Sequence, residues 1–340
     1  MELSKIMKQN QRHVLVIGGA GYIGSTLSRK LLIKNYKVRV LDKLIYDNAP
    51  SVFDLLDEKY FSFIYGDYGN ESVLLNSLEG ITDIVLLAAL VGDPICKKYP
   101  DLARRVNLEY AKNLLEKIKG KSINRFIFTS TCSNYGLRND DTPANEDAKL
   151  NPLSLYAETK VELEKYILDN LKNIDYSPTI LRLATAFGIS KRMRFDLTIS
   201  EFSRELALGN ELIIFDEHTW RPYCHISDIS NAIISVLEGP KDKVFGQVFN
   251  VGSNNGNYTK KMILEIIQKY VNNALIKYKQ GGFDPRNYRV SFTKIKSVLN
   301  YETQNTVEES IRNLINAVKN NLFTDVEIRK NFYGNYFILQ

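Results

Sequence analysis

The stretch Val14–Gly24, with the sequence VLVIGGAGYIG, decides the fold of this chain. Its apolar start predicts a buried strand, and the glycines that follow predict a tight turn into a helix. Gly18 permits that turn, Gly21 lets backbone amides approach a pyrophosphate, and Gly24 lets the helix pack close to the strand. Unpaired N–H groups and the helix dipole then favour a bound phosphate. On the glycines alone, a plain strand-to-helix turn is an equal alternative.

An acidic residue ends the next apolar run. Asp42 follows the residues VRVL at 38–41, at the end of a second predicted strand. A carboxylate in this place can accept hydrogen bonds from both ribose hydroxyls of an adenosine, and it repels a 2′-phosphate. It therefore favours NAD over NADP, although the adjacent Lys43 could tolerate that phosphate. Strand, loop, helix and acid together predict a dinucleotide site.

Short apolar runs alternate with amphipathic stretches through the first half of the chain. The nearly continuous apolar character of the runs is typical of strands covered on both faces. Strand–helix–strand repetition favours parallel pairing, and hence an α/β fold with a Rossmann-type doubly wound sheet. Strands are predicted at residues 13–17, 37–41, 61–65, 83–87, 125–129 and 179–183, and helices at 22–34, 71–78, 102–118 and 154–171.

The alternation breaks after Gly188, which indicates a second, smaller α/β lobe. We expect a dinucleotide domain at 12–188, to which 223–253 return, and a substrate lobe at 189–222 and 254–322. The tail at 323–340 ends in NFYGNYFILQ, which is unusually aromatic. Such an end is expected to dock on its own domain or on another subunit, because exposure would leave an apolar patch.

Composition narrows the class of protein. The 340 residues are 44% hydrophobic and 25% charged, which excludes a disordered or fibrous chain. The longest apolar run, residues 84–91, is far below the roughly 18 that a membrane span needs, and 1–12 contain no secretory signal. The net charge of +6 is spread along the chain and suits an anionic small molecule at least as well as nucleic acid. The three cysteines fit neither a disulfide framework nor a metal site, so free thiols in the cytoplasm are expected.

Two residues of one predicted helix could carry acid–base chemistry. Tyr156 and Lys160 are four residues apart and share a helix face. The ammonium group, together with a positive nicotinamide ring, would favour the phenolate and lower the pKa of the tyrosine. Thr131, at an upstream strand end, offers a hydroxyl that could share a substrate proton with Tyr156. With 20 tyrosines in the chain, a routine pair on a helix surface is the alternative.

The motifs stand in the order found in extended short-chain dehydrogenases. More narrowly, residues 12–320 resemble the NAD-dependent nucleotide-sugar epimerase/dehydratase family. The resemblance implies a seven-stranded parallel sheet, a smaller nucleotide-sugar lobe, NAD as the cofactor, a nucleotide-diphosphate sugar as the substrate and a homodimer or higher oligomer. It makes Thr131 the family's Ser/Thr, Tyr156 the base and Lys160 the residue that orients the ribose. The cofactor residues it implies are Gly18, Gly21, Tyr22, Ile23, Gly24, Asp42, Lys43, Asp67, Tyr68, Ala88, Ala89, Asn107, Tyr156 and Lys160.

On the substrate side, the stretch WRPYCH at 220–225 resembles the family segment whose arginine pairs with the sugar-nucleotide pyrophosphate. The planar fork of Arg221 suits that role, with a solvated arginine as the alternative. For Arg192 and Arg194, a solvated basic loop is expected for at least one. His225 is expected to satisfy a structural hydrogen bond. The predicted substrate residues are Thr131, Thr185, Arg194, Arg221 and Arg286.

Three departures from the family pattern limit the chemistry. Cys132 and Ser133 replace the Asp-Glu pair of 4,6-dehydratases, which disfavours dehydration. Thr185 and Val91 replace an asparagine and a lysine of typical galactose 4-epimerases. We therefore expect an NAD-dependent nucleotide-sugar epimerase or 4-dehydrogenase that oxidises C4 of the sugar. The alternatives are a 4,6-dehydratase, a 4-ketoreductase and a non-catalytic dinucleotide sensor, which would need neither Tyr156 nor Lys160.

Overall fold

The strands of the molecule occur where short apolar runs predict them. The computed structural model describes residues 12–138, 142–282, 284 and 286–339. Every predicted strand is present, with ends that differ by at most two residues. In the described residues the strands are β1 (His13–Ile17), β2 (Lys37–Asp42), β3 (Phe61–Tyr65), β4 (Asp83–Leu86), β5 (Arg125–Thr131), β6 (Ser177–Leu183), β7 (Thr185–Phe187), β8 (Leu212–Phe215), β9 (Trp220–His225), β10 (Gln247–Val251), β11 (Asn257–Thr259) and β12 (Ile276–Lys279).

The helices follow the amphipathic stretches, with one difference. Residues 102–118, predicted as one helix, are divided by a π-helical turn at Arg105–Glu109. This wider turn carries the buried side chain of Asn107. The helices are α1 (Tyr22–Ile33), α2 (Glu71–Ser77), α3 (Asp93–Lys98), α4 (Pro100–Arg104), α5 (Tyr110–Lys117), α6 (Leu155–Asp169), α7 (Thr198–Ala207), α8 (Ile226–Glu238), α9 (Lys241–Val244), α10 (Lys260–Gln268), α11 (Thr293–Leu299) and α12 (Val307–Lys319).

A seven-stranded sheet forms the centre of the fold, in the order β3–β2–β1–β4–β5–β6–β10. All its neighbouring strands are parallel, as predicted. The chain runs outward from β1 to β3 and then returns to β4 on the other side of β1. This change of direction opens a crevice at the carboxyl ends of β1 and β4, which is where doubly wound sheets bind ligands.

Apolar side chains cover both faces of this sheet. On one face Leu27 of α1 and Ile233 of α8 pack over strand residues such as Val16. On the other face Leu114 of α5 and Leu163 of α6 pack over strand residues that include Phe126. Burial on both faces explains why the strands read as continuous apolar runs.

The smaller lobe is built on two minor sheets, β7–β9–β11 and β8–β12. Their apolar side chains pack with α7, α10 and α12. Strand β9 lies in this lobe. The following helix α8 packs on the large sheet, and strand β10 is part of that sheet. The division of the chain into domains at the stated residues stays a prediction.

Three further observations concern the tail, the cysteines and the length of the helices. The aromatic tail docks on its own chain, where Phe332 and Tyr333 are buried with Phe195 and Val326. Cys96, Cys132 and Cys224 are free and buried. Among the described residues, none of the helices is long and apolar enough to cross a membrane.

Candidate active site

One cavity of about 540 Å³ lies at the crevice between the large sheet and the smaller lobe. That volume is within the range of small-molecule sites. The cavity is lined by all the predicted cofactor and substrate residues except Asn107. The structure thus brings together the glycine loop, Asp42, Tyr156 and the three predicted arginines, which are distant in sequence.

The glycine loop brings backbone close to backbone. Gly18 has φ +86°, and a Cβ placed on it would lie 2.6 Å from the amide nitrogen of Ala88. A Cβ on Gly24 would lie 2.4 Å from the carbonyl oxygen of Gly18. Gly21 caps α1 without a side-chain hydrogen bond, so the first-turn amides are open to a ligand. A loop with these contacts fits the pyrophosphate of a dinucleotide.

Asp42 stands at the end of β2, at the edge of the same cavity. Its carboxylate accepts hydrogen bonds from the amides of Ala20 at 3.0 Å and Leu44 at 2.8 Å. Burial raises the pKa of Asp42, and these hydrogen bonds oppose the shift. The neighbouring Lys43 pairs with Asp67 instead, at 3.1 Å. Both residues line the cavity, so the ion pair competes with any contact of the lysine to a 2′-phosphate.

Asn107, a predicted cofactor residue, does not line the cavity. Its side chain accepts a hydrogen bond from the amide of Leu90 at 2.8 Å and donates one to the carbonyl of Leu90 at 3.1 Å. The predicted contact of Asn107 with the cofactor stays a prediction. Asn107 holds the backbone that follows β4, and that backbone lines the cavity.

Tyr156 and Lys160 lie on one face of α6, directed toward β5. The ammonium of Lys160 donates a hydrogen bond to the carbonyl of Thr129 at 2.8 Å and lies 5.8 Å from the centre of the Tyr156 ring. Lys160 is only 2% exposed. A routine surface pair is thus excluded for Lys160.

The pKa values depart from the predicted direction. Burial raises the pKa of Tyr156 above its usual value, and burial lowers the pKa of Lys160 to about 7. Burial thus opposes the charged form of Lys160, and Arg194 is a cation that lowers the pKa of Tyr156. Lowering the pKa of Tyr156 requires further positive charge, and a nicotinamide ring carries it.

At the end of β5, the structure shows which side chains face the cavity and which face the core, a distinction that the sequence does not make. Thr131 lines the cavity, and its hydroxyl oxygen accepts a hydrogen bond from the amide of Ser133 at 3.1 Å. Cys132 points away from the cavity: it is 1% exposed, and its thiol donates to the carbonyl of Arg182. Ser133 faces the cavity, with its hydroxyl 3.4 Å from both Arg286 and Tyr288.

Behind these residues, a buried ion pair fixes α6 against the sheet. Arg182 of β6 donates to both oxygens of Glu164, which follows Lys160 by one helical turn. Ser130 also donates to Glu164. Removal of one partner would leave a buried charge uncompensated, so this pair holds Tyr156 and Thr131 in register.

Two predicted substrate arginines converge on a single carboxylate. Arg221 of β9 bonds to Asp284 at 2.9 Å, and Arg286 bonds to the same residue at 2.7 Å. Burial opposes the ionisation of Asp284, but the two cations prevail and hold its pKa well below the usual range. Arg286 also pairs with Asp93 at 3.1 Å. The guanidinium groups are thereby held side by side at the cavity.

Arg192 and Arg194 are both buried, at 3% and 6% exposure, so the expectation of a solvated loop is wrong. Arg194 pairs with Asp196 through two hydrogen bonds of 2.6 Å. The tail contacts this segment, because Arg192 donates to the carbonyl of Gly334 and Asp196 accepts from the amide of Asn335. His225 accepts a hydrogen bond from the amide of Ser227 at 3.1 Å and caps α8, as expected of a structural histidine.

Several cavity residues were missed by sequence reasoning. Asp93 follows the predicted strand end but belongs to no motif. The sequence of the tail indicates only an aromatic stretch that docks on a protein surface. It gives no sign that the tail reaches the cavity. Missed lining residues include Tyr46, Asp93, Asp196, Asn335, Tyr336 and Ile338.

Fold and cavity together define a dinucleotide-dependent oxidoreductase of the short-chain dehydrogenase class. Within that class, the family model of the NAD dependent epimerase/dehydratase family matches residues 14–252. The chain belongs to this family. It is an NAD-dependent enzyme that acts on nucleotide sugars.

Individual relatives agree with this assignment. The chain is 30% identical to the uncharacterized UDP-glucose epimerase YtcB of Bacillus subtilis, over 89% of this chain and 96% of that protein. It is 28% identical to the UDP-glucuronate 4-epimerase of Thermodesulfobacterium geofontis, over 91% and 97%. The UDP-glucuronic acid 4-epimerase of Bacillus cereus, solved with UDP-glucuronic acid and NAD, superposes with a TM-score of 0.82 at 25% identity, over 91% and 99%.

Proposed function

We propose that this protein oxidises the C4 hydroxyl of a nucleotide-diphosphate sugar and acts as a 4-epimerase. The observation that carries the proposal is the position of Tyr156 at the same cavity as the glycine loop and the arginine pair. The names of the relatives make UDP-sugars the first candidates. A sensor of dinucleotide would use neither the tyrosine nor the arginines.

The residues around the cavity have separate roles in binding the cofactor and in transferring the proton. The loop at Gly18 and Gly21 would hold the pyrophosphate of NAD, and Asp42 the adenosine ribose. NAD, when bound, supplies hydride transfer. Tyr156 takes the proton of the C4 hydroxyl, and Thr131 holds that hydroxyl by a hydrogen bond. Lys160 orients α6 against β5 and adds positive charge.

The arginine pair would hold the diphosphate of the substrate. Arg221 and Arg286 already present their forks to one carboxylate, that of Asp284. Each phosphate of a diphosphate presents pairs of acceptor oxygens that match a guanidinium fork, and it carries more charge than a carboxylate, so both arginines can bind it bidentately. This would orient the sugar with its C4 toward Tyr156.

A 4-dehydrogenase is the second candidate, because release of the 4-keto sugar would use the same residues. The decisive experiment is a panel of UDP-, dTDP- and GDP-hexoses and pentoses, with mass spectrometry of the products and the absorbance of reduced cofactor followed in parallel. Epimers formed without net reduction of NAD support the epimerase. A keto sugar with an equal amount of reduced cofactor supports the dehydrogenase. No turnover of any member contradicts both.

We also propose a cytoplasmic homodimer. The paired face would consist of residues 102–118 and 154–171, as is common in the family. Arg104 of the first segment lies 3.9 Å from Glu158 and 3.7 Å from Glu162 of α6, so the two segments lie side by side at the surface. Three free cysteines suit a reducing compartment.

A further inference from the structure

The C-terminal tail reaches the cavity after two aromatic residues anchor it. Phe332 and Tyr333 pack in an apolar cluster with Phe195, which precedes α7. The amide of Phe195 also donates to the carbonyl of Tyr333 at 2.8 Å. Residues 331–339, here termed the C-terminal strap, lie between this cluster and the large sheet.

Arg192 is the hydrogen-bonding centre of this strap. One terminal nitrogen of its guanidinium donates to the carbonyls of Asn331 at 3.3 Å and Gly334 at 3.0 Å, and to the side chain of Asn335 at 2.7 Å. The guanidinium lies 4.9 Å from the centre of the Tyr46 ring. Burial, and after it the Arg194 cation, lowers the pKa of Arg192 to about 9, so the group is still charged at neutral pH. Loss of the strap would leave this buried cation without three acceptors.

Asn335 connects three separate parts of the chain. Its amide donates to Asp196 at 3.2 Å, its side-chain oxygen accepts from Arg192, and its side-chain nitrogen donates to the carbonyl of Val91 at 3.1 Å. Val91 follows β4, on one side of the crevice. The strap is therefore fixed at that side.

The other side of the crevice holds the strap through Ile45, which follows β2. The carbonyl of Ile45 accepts hydrogen bonds from the amide of Leu339 at 3.0 Å and the side chain of Asn331 at 3.4 Å. Since β2 and β4 flank β1, the strap spans the point at which the sheet changes direction. Ile338 packs against the buried cluster that contains Leu90 and Ile95, as Tyr156 does.

We propose that the C-terminal strap is part of the dinucleotide site: it closes over the bound cofactor, with Asn335 and Tyr336 forming the outer wall, and it slows the release of NAD. Both residues line the same cavity as Asp42 and the glycine loop. The glycine motif and Asp42 predict only the inner wall of such a site. This inference rests on the binding of NAD and does not depend on which sugar is oxidised.

The rate at which NADH leaves the purified protein tests the proposal directly. Stopped-flow fluorescence with excess NAD as the competitor measures it for the wild type, Asn335→Ala and Tyr336→Ala. Release from Asn335→Ala should be at least about tenfold faster, because its side chain makes two hydrogen bonds that hold the strap, each worth a factor of about five. Release from Tyr336→Ala should also be faster, because its ring lines the cavity. Phe337→Ala is the matched control: its ring is 43% exposed, like that of Tyr336 at 46%, and it does not line the cavity.

Faster release from either variant, with the control unchanged, supports the strap. Wild-type rates in both variants overturn the proposal, as does faster release in all three variants, which would indicate general loss of stability. Hydrogen exchange of the wild type gives an independent readout that needs no variant to fold. NAD should slow the exchange of the amides of Asn335 and Leu339, and faster exchange with NAD would mean that the cofactor displaces the strap. Neither measurement uses a nucleotide sugar, so an error in the proposed substrate would leave both results intact.

Discussion

The ammonium of Lys160 donates its hydrogen bond to the carbonyl oxygen of Thr129, 2.8 Å away. This bond joins helix α6 to strand β5 two residues before Thr131. Tyr156 begins the same helix one turn earlier. The contact therefore fixes the distance between the two hydroxyl groups that the proposed reaction needs, and it makes Lys160 a structural as well as an electrostatic residue.

Replacement of the proposed base should abolish most turnover. Tyr156→Phe removes the phenol and is expected to lower kcat by roughly 10²–10⁴-fold, the usual contribution of a positioned acid or base. Binding of NAD, measured by calorimetry, should persist. Tyr166→Phe, on the same helix with its hydroxyl on Glu116 at the surface, is the matched control and should retain activity. Near-normal turnover by Tyr156→Phe would refute the assignment.

Burial of Lys160 predicts a specific dependence of stability on pH. Its pKa is about 7 in the folded protein, against a usual value of 10.5. Between these values the unfolded chain binds a proton that the folded protein lacks, so the free energy of unfolding rises with pH across this window. In Lys160→Met, the free energy of unfolding measured in urea should rise less steeply with pH between pH 7 and 9.5. The exposed Lys165→Met should keep the wild-type slope, and equal slopes in all three proteins would contradict the prediction.

The choice of cofactor should depend on Asp42 and not on Lys43. The wild type is expected to bind NAD much more tightly than NADP, because the carboxylate repels a 2′-phosphate. Asp42→Ala should narrow this difference in titration calorimetry. Lys43→Ala should leave it unchanged, since Lys43 pairs with Asp67. Equal affinity of the wild type for both dinucleotides would show that the carboxylate does not discriminate between NAD and NADP.

Local sequence patterns predicted the sheet and the inner wall of the cavity, because both depend on short-range chemistry. An apolar strand followed by glycines and an acid can be recognised within thirty residues. Whether Cys132 or Ser133 faces the cavity depends on the turn after β5, and no periodicity encodes that choice. The burial of Arg192 depends on residues more than 130 positions away. Tertiary contacts of this kind carry no local signal, which is why the strap was missed.

Assembly can be tested independently of chemistry. If residues 102–118 and 154–171 form a two-fold face, sedimentation at micromolar concentration should show a dimer. Glu162→Arg would place like charge beside Arg104 at that face and should shift the equilibrium toward the monomer. Lys277→Glu, far from this face on β12, is the control and should leave sedimentation unchanged. A monomeric wild type would refute the dimer.

The two residues after Thr131 decide whether the site can eliminate water from the sugar. Elimination of water across C5 and C6 needs an acid for the leaving hydroxyl and a base for the C5 proton. Cys132 cannot serve, because it faces the core and burial raises the pKa of its thiol well above the usual value. Ser133 faces the cavity, but a hydroxyl lacks the proton affinity of a carboxylate.

We therefore expect no 4-keto-6-deoxy product from any nucleotide hexose in the panel. The expected products are the C4 epimer, or the 4-keto sugar with an equal amount of reduced cofactor. Asp93 is a carboxylate that lines the cavity and whose charge acts on Tyr156, but its pairing with Arg286 commits it as an ion-pair partner. Mass spectrometry gives the answer: a product lighter than the substrate by one water, formed as fast as the cofactor is reduced, would overturn this assignment. Loss of that product in Asp93→Asn would then identify the acid.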